Sequence, residues 1–452
     1  MSFETIKDIV DFNPSRPLSK GKEFPFIDMA SLPVNGRDIN EVSNKVFNGG
    51  GAKFKNGDTL FARITPCLEN GKTAKVENLP VGCIAHGSTE FIVLSAKSKD
   101  DEDFVYYLAR LPDFRSYAIS RMEGTSGRQR VSWQALAEFN LRLPEKGKRK
   151  KIGKILKSLD DKIHLNNQIN QTLESIAQAL FKSWFIDFDP VRAKIAAKQE
   201  GKDPELAAMR AISGKNEEEL QQMSEDDLAE LRATASLFPD ELVESELGEV
   251  PKGWFKTDLS ILADLNVQSW TKKNCPEKVT YVDLSNTKWG VIQQTEEFIF
   301  EKAPSRARRV LKIGDTIVGT VRPANGSYAF IQRENLTGST GFAVLSPKHK
   351  NYAEFIYIVA TDKENIKRLA HLADGGAYPA VSYDTVLNTP CILPIENKDG
   401  VLNLFHKNIK EFYFLSASKF EENNILASIR DTLLPKLLSG ELDVSGLQGE
   451  GA

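Results

Sequence analysis

The sequence predicts an α+β fold. Two similar mixed-sheet domains lie in tandem, separated by two long antiparallel coiled-coil helices and related by a pseudo-two-fold axis. Three observations predict it. One phrase occurs twice, as "FKNGDTLFARITP" from Phe54 and as "LKIGDTIVGTVRP" from Leu311. Other pairs keep the same order at offsets of 250 to 257 residues: "STEFIVLS" with "STGFAVLS", "FVYYLA" with "FIYIVA", and "RVSWQALAEFNLRLP" with "AVSYDTVLNTPCILP". Each copy then runs into a stretch whose apolar residues recur at steps of three and four, the spacing of a helical seam.

The elements follow in order. Residues 1–148 form the first domain. Within it "TLFARI" and "FIVLSA" read as strands, rich in Phe, Ile, Val and Thr. "DFVYYLARLPDFRSYAIS" has helical spacing interrupted by Pro112, and "NGD" and "GTSG" supply turns. The two GDT triplets read as turns into buried strands, not as sites of chemistry. Residues 149–188 form the first long helix, with Ile152, Leu156, Leu159, Ile163, Leu173, Ala177, Leu180 and Trp184 on its seam. Asn166 and Asn170 interrupt that seam, and a buried Asn in such a place fixes register at a cost in stability. At 1.5 Å per residue the helix is ~55 Å long.

Residues 189–251 break the repeat. They hold seven basic and sixteen acidic residues and read as an acidic linker with short helices. Residues 252–400 form the second domain. Residues 401–445 form the second long helix, with Phe405, Ile409, Phe412, Leu426, Ile429 and Leu433 on its seam. "NQTLESIAQALF" at 170 aligns with "NNILASIRDTLL" at 423, so the duplicated unit is a domain plus a helix. Antiparallel pairing of the two helices covers both seams.

Composition narrows the function. The chain has 452 residues, 41% hydrophobic and 27% charged, an ordinary balance for a soluble globular protein. No run of 18 apolar residues exists, so no membrane span is expected. The N-terminus carries no signal-peptide pattern. Cys67, Cys83, Cys275 and Cys391 are scattered, as in a reduced cytoplasmic protein. The net charge is −3, and residues 189–251 account for it. The remainder is positive, which is compatible with a nucleic-acid surface.

The sequence shows no constellation for catalysis. It has no Gly-rich phosphate loop and no paired metal ligands. "NTPC" at 388–391 reads as a strand edge and "FDPV" at 188–191 as a helix stop. "PDELVESE" at 239–246 has carboxylates but no following Lys. No catalytic residue, metal or cofactor is expected on this chain, and what remains is binding.

Three stretches carry a resemblance: "NNQINQTLESIAQALFKSWFIDF", "LFPDELVESELGEVPKGW" and the C-terminal "LLPKLLSGELDV". Together they resemble the specificity subunit of type I restriction–modification systems over essentially the whole chain. The resemblance implies that each copy is a target-recognition domain for double-stranded DNA and that each long helix is a spacer. It implies two modification subunits as partners, carrying S-adenosylmethionine chemistry. Restriction subunits, using ATP and Mg, join them to translocate and cleave. The specificity subunit itself is not an enzyme.

The expected readers of DNA are loop residues that differ between the copies. In the first domain these are Arg121, Arg128, Gln129 and Arg130, with Arg63, Lys72 and Lys75 on a second loop. Arg suits guanine and Gln suits adenine, each through a bidentate contact. In the second domain they are Tyr378 together with Arg322, Asn325, Ser327 and Tyr328. Arg306, Arg308 and Arg309 read as a phosphate clamp. Heavy divergence of the two copies suggests an asymmetric target. Phe181, Trp184, Phe185 and Phe188 read as an anchor for a modification subunit. The other class open to the sequence is a coiled-coil scaffold whose end domains bind protein or carbohydrate.

Overall fold

The computed structural model describes residues 4–444 and 446, apart from 126, 246, 247 and 377. Of the "SELGE" phrase in the acidic segment, Glu246 and Leu247 thus lie outside the described residues. The chain divides into two units: one comprises residues up to 169 together with those from 419 onward, the other residues 170–418.

The first unit holds two four-stranded sheets. One has the order Val10–Phe12, Phe91–Ala96, Thr59–Ala62, Thr73–Lys75, with all pairs antiparallel. The other has the order Ser43–Val46, Glu23–Ile27, Ala85–Gly87, Ala52–Phe54, and its central pair is parallel. Alternation of side chains along a strand splits the buried residues between two cores. Leu60, Phe91 and Val93 face Phe54, Ile27 and Val76. Their neighbours Phe61, Ile92 and Leu94 face the helices Glu102–Arg110 and Pro112–Ser120. Pro112 opens the second of these helices, where its missing N–H costs nothing.

The second unit repeats this arrangement strand for strand. One sheet runs Ala263–Leu265, Phe342–Pro347, Thr316–Gly319, Tyr328–Phe330; the other runs Glu296–Ile299, Lys278–Val282, Leu336–Ser339, Ala307–Leu311. The parallel pair recurs between Lys278–Val282 and Leu336–Ser339. Ile317, Phe342 and Val344 enter one core, while Val318, Ala343 and Leu345 enter the other. The shared "VS" dipeptide recurs as a helix cap: Ser132 Oγ accepts from Ala135 N at 3.1 Å and Ser382 Oγ from Thr385 N at 3.0 Å.

The GDT triplets are turns in both domains. Gly57 and Gly314 have φ of 94° and 90°, values that favour glycine. Asp58 and Asp315 are buried and accept from Lys55 N and Lys312 N, each at 2.8 Å. Asp58 also pairs with the buried Arg16, whose Nη2 donates to Asp58 Oδ1 at 2.9 Å.

The long helices span Lys146–Phe185 and Lys398–Ser439. In the first unit they pair antiparallel through polar groups. Asn166 Nδ2 donates to Asn423 Oδ1 at 2.9 Å, and Asn423 Nδ2 to Asn167 Oδ1 at 2.8 Å. Arg430 Nη1 donates to Asp160 Oδ1 at 2.6 Å. The seam therefore differs from its apolar reading. Asp160 and Arg430 are buried, whereas Ile429 is exposed.

The described residues of 189–251 form four helices and a pair of strands, all within the second unit. Ala208, Met209, Leu220, Leu231 and Ala235 give them a small core of their own. The buried Lys194 donates to Glu205 Oε1 at 2.7 Å and to Phe238 O at 2.9 Å.

Candidate nucleic-acid interface

Two loops meet at the exit of the GDT strand in each domain. In the first, Glu123 and Arg130 exchange backbone hydrogen bonds of 3.0 and 2.9 Å. Gly124 and Gly127 take the positive φ values the loop between them needs. The strand exit pins its base: Val131 N donates to Arg63 O at 3.0 Å and Thr65 N to Gln129 O at 3.1 Å. In the second domain Asp374 and Ala380 exchange bonds of 3.0 and 2.8 Å. There Val381 N donates to Thr320 O at 3.0 Å and Arg322 N to Pro379 O at 2.8 Å. Residues 126 and 377, one in each loop, lie outside the described residues. This pairing makes Thr320 the counterpart of Arg63 and Thr65 the counterpart of Arg322, so the two arginines do not occupy equivalent places.

The side chains on this shared frame differ. Arg121 and Arg128 are exposed, with Arg121 stacked 5.1 Å from the Tyr117 ring. Gln129 is half-buried, and its N–H donates to Thr65 Oγ1 at 3.1 Å. Arg130 forks onto Glu90, with N–O distances of 2.7 to 3.0 Å. Those bonds hold the Glu90 carboxyl below the ordinary glutamate range. Arg63 is half-buried beside the same carboxylate. In the second domain Tyr378 is 71% exposed and lies 4.8 Å beneath the Arg322 guanidinium. Asn325 is exposed on the turn that follows Arg322.

Several expected readers are placed elsewhere. Lys75 is buried, with its amine 3.6 Å from Asp103, and burial pushes its pKa down. A strand of alternating exposure would have left it outside, but this strand is covered on both faces. Lys72 is half-buried and donates to Met29 O at 2.7 Å. Ser327 is buried and donates to Leu284 O at 2.9 Å. Tyr328 is half-buried, and burial raises its hydroxyl to about 12. Of the basic triplet, only Arg306 is exposed. Arg308 folds back onto Phe300 and Ala307 O, and Arg309 onto Tyr383 and Ser269.

The aromatic anchor is also corrected. Phe181, Trp184, Phe185 and Phe188 are buried in the core of the second unit, against Phe355, Phe405, Phe238 and Trp254. They face their own chain. The large apolar residues that the long helices do expose are Leu165, Ile425 and Ile429 in the first unit and Ile176, Phe414 and Leu415 in the second. All but Ile429 lie off the seam that the sequence spacing gave.

Glu90 escaped the sequence reading, although one clue was present. The copies diverge at "STEF" and "STGF", and again at Arg130 and Ala380. The ion pair of the first domain is therefore Gly341 and Ala380 in the second.

The family model for the type I restriction modification DNA specificity domain matches residues 3–175. The HindI type I restriction enzyme specificity subunit of Haemophilus influenzae is 33% identical over 425 residues, covering 89% of this chain and 90% of that protein. The chain belongs to the specificity subunits of type I restriction enzymes. The MjaIX specificity subunit of Methanocaldococcus jannaschii is 25% identical over 359 residues, 76% of this chain and 70% of its own. A crystal structure of the type I restriction–modification S subunit from M. genitalium matches the fold with a TM-score of 0.50 at 13% identity, covering 98% of this chain and 96% of that one. The role of this specificity subunit is thus DNA recognition in a type I system. Among the described residues, no group of acidic, His or Cys side chains could hold a metal ion, and no helix is long and apolar enough to cross a membrane.

Proposed function

We propose that each domain of this subunit reads one half of a bipartite, asymmetric target in double-stranded DNA. The observation that carries this reading is one backbone frame bearing two chemistries. The paired loops are pinned identically in both domains, yet one presents Arg121 and Arg128 and the other Tyr378 stacked on Arg322. A frame held constant while its exposed side chains change is what two readers of different sequences need, because base edges are read by side chains.

The long helices set the spacer between the half-sites, since the arrangement of paired readers fixes half-site separation. Their exposed residues Ile425, Ile429, Phe414 and Leu415 dock two modification subunits. Restriction subunits join that complex. S-adenosylmethionine, ATP and Mg act on those partners, and this chain catalyses no step.

The purified chain is expected neither to methylate nor to cleave DNA. Co-expressed with its modification subunits, it is expected to bind and methylate one two-part sequence. Methylation or cleavage by the chain alone, after exclusion of contaminants, would overturn the reading. So would a complex that binds random duplex as well as any other.

A further inference from the structure

Trp289 stands at the tip of a hairpin formed by Thr287–Lys288 and Val291–Ile292. Trp289 and Gly290 are its two turn residues, with φ of 48° and 87°. Positive φ at both positions is the pattern of a tight hairpin turn that favours Asn-Gly. A bulky aromatic in that conformation is an outlier, and such outliers collect at functional positions. The residue is nonetheless 57% exposed, so burial in a core does not explain it.

The indole is held in place by the neighbouring loop. Trp289 N donates to Gly326 O at 2.7 Å and Gly290 N to Tyr328 O at 3.0 Å. The ring meets Tyr328 edge-on at 6.0 Å. A Cβ on Gly326 would come within 2.6 Å of the indole, so the ring lies flat on that glycine. Gly326 closes the turn Pro323–Asn325, which begins at Arg322. The indole therefore borders the loop that carries the Arg322–Tyr378 stack.

The first domain has the same shelf with a different cover. The "NG" at 70–71 corresponds to the "NG" at 325–326, and Gly71 also has positive φ. A Cβ there would meet the Arg115 guanidinium at 2.4 Å. Arg115 comes from the helix Pro112–Ser120 and is half-exposed. Among the described residues its guanidinium has no hydrogen-bond or ion-pair partner. One glycine shelf thus receives the Nη1 end of a cation in one domain and the face of an apolar ring in the other.

We infer that the covers of these two shelves, Arg115 over Gly71 and Trp289 over Gly326, are specificity-determining contacts to DNA, one for each half-site. Arg115 offers a fork of donors to a guanine edge. Trp289 offers an apolar face to a base edge bearing a thymine methyl. The inference rests on the DNA-reading role proposed above and adds the residues and the base chemistry.

The test uses the full chain in complex with its modification subunits, with three variants: Trp289→Asn, Trp289→Phe and Arg115→Ala. Melting, affinity for the target duplex and the methylated motif are measured for each. Asn suits the turn, so Trp289→Asn is expected to melt at or above the wild-type temperature. Its affinity is expected to fall roughly tenfold or more, with relaxed preference in one half-site only. Trp289→Phe keeps part of that preference, and Arg115→Ala relaxes the other half-site. Unchanged motif and affinity in Trp289→Asn and Arg115→Ala overturn the inference. So does a joint loss of melting temperature and binding in Trp289→Asn, which would assign the ring a structural task. An Arg128→Ala arm separates the two levels. If it changes the motif while the shelf variants do not, the DNA-reading role stands and this inference falls.

Discussion

Apolar packing joins both domains to the long helices, with buried charges added in the first and a cluster of aromatic rings in the second. In the first unit the buried Arg430–Asp160 pair also takes the Tyr107 hydroxyl, which donates to Asp160 Oδ2 at 2.6 Å. Arg37 adds bonds to Asp161 at 2.9 Å and Glu77 at 2.8 Å. In the second unit Phe181, Phe185, Phe355 and Phe405 pack ring on ring, with Tyr357, Tyr413 and Phe330 beside them. The strand order of the two domains is nevertheless the same. Topology needs a covered helix face and does not prescribe how it is covered. The paired loops follow that rule, with Arg130–Glu90 in one copy and Ala380–Gly341 in the other.

Breaking each attachment should show the contrast at its largest. Arg430→Ala strands the buried Asp160 carboxylate and should cost about 3–5 kcal/mol. Phe405→Ala opens a cavity in the ring cluster and should cost about 3–5 kcal/mol as well. Chemical denaturation checks both. The pair Arg430→Met with Asp160→Asn should recover much of the first loss, because no uncompensated charge is left buried. No such rescue by charge removal exists for Phe405→Ala.

The seam between the helices was only partly legible in the sequence. The duplication, the strands around each GDT and the long helices are local patterns and could be read directly. Both helices begin slightly before the expected residues 149 and 401. The buried Asp160–Arg430 pair was hidden, because two charges some 270 residues apart can be buried together only if they meet. Periodicity instead favoured Leu159 and Ile429. The aromatic run from Phe181 to Phe188 showed its residues but not its surroundings, since Phe238, Trp254, Phe355 and Phe405 come from distant segments. Lys75 looked like a loop cation until its strand proved to be covered on both faces.

A smaller effect sharpens the contrast through pH. Glu174 of the second unit accepts from Gln178 Nε2 at 2.9 Å, and burial among Tyr413 and Tyr357 raises its pKa above the ordinary 4.5. Its protonated form therefore supports the fold in full below that ordinary value. The contribution is lost as pH rises through the folded value. Relative to Glu174→Gln, the wild-type protein should lose stability on going from pH 4 to pH 8. Melting curves across that range check the sign, and a parallel dependence in both proteins would contradict it.

The smallest expected effect on stability is at the loop of the first domain that carries Arg130. The Arg130–Glu90 pair is partly exposed, so Glu90→Ala should change stability by no more than about 1 kcal/mol. It should still alter recognition, because the freed guanidinium becomes available to DNA. Binding to a panel of single-base target variants checks this.

Methylome sequencing of cells carrying Arg121→Ala with Arg128→Ala tests the division of labour between the domains most directly. A good bidentate pairing between a side chain and a base edge is worth ~1–3 kcal/mol of discrimination. One half of the methylated motif should relax or disappear, while the half read by residues 252–400 keeps its sequence. A motif that changes in both halves together, or in neither, would contradict the account of one domain for each half-site.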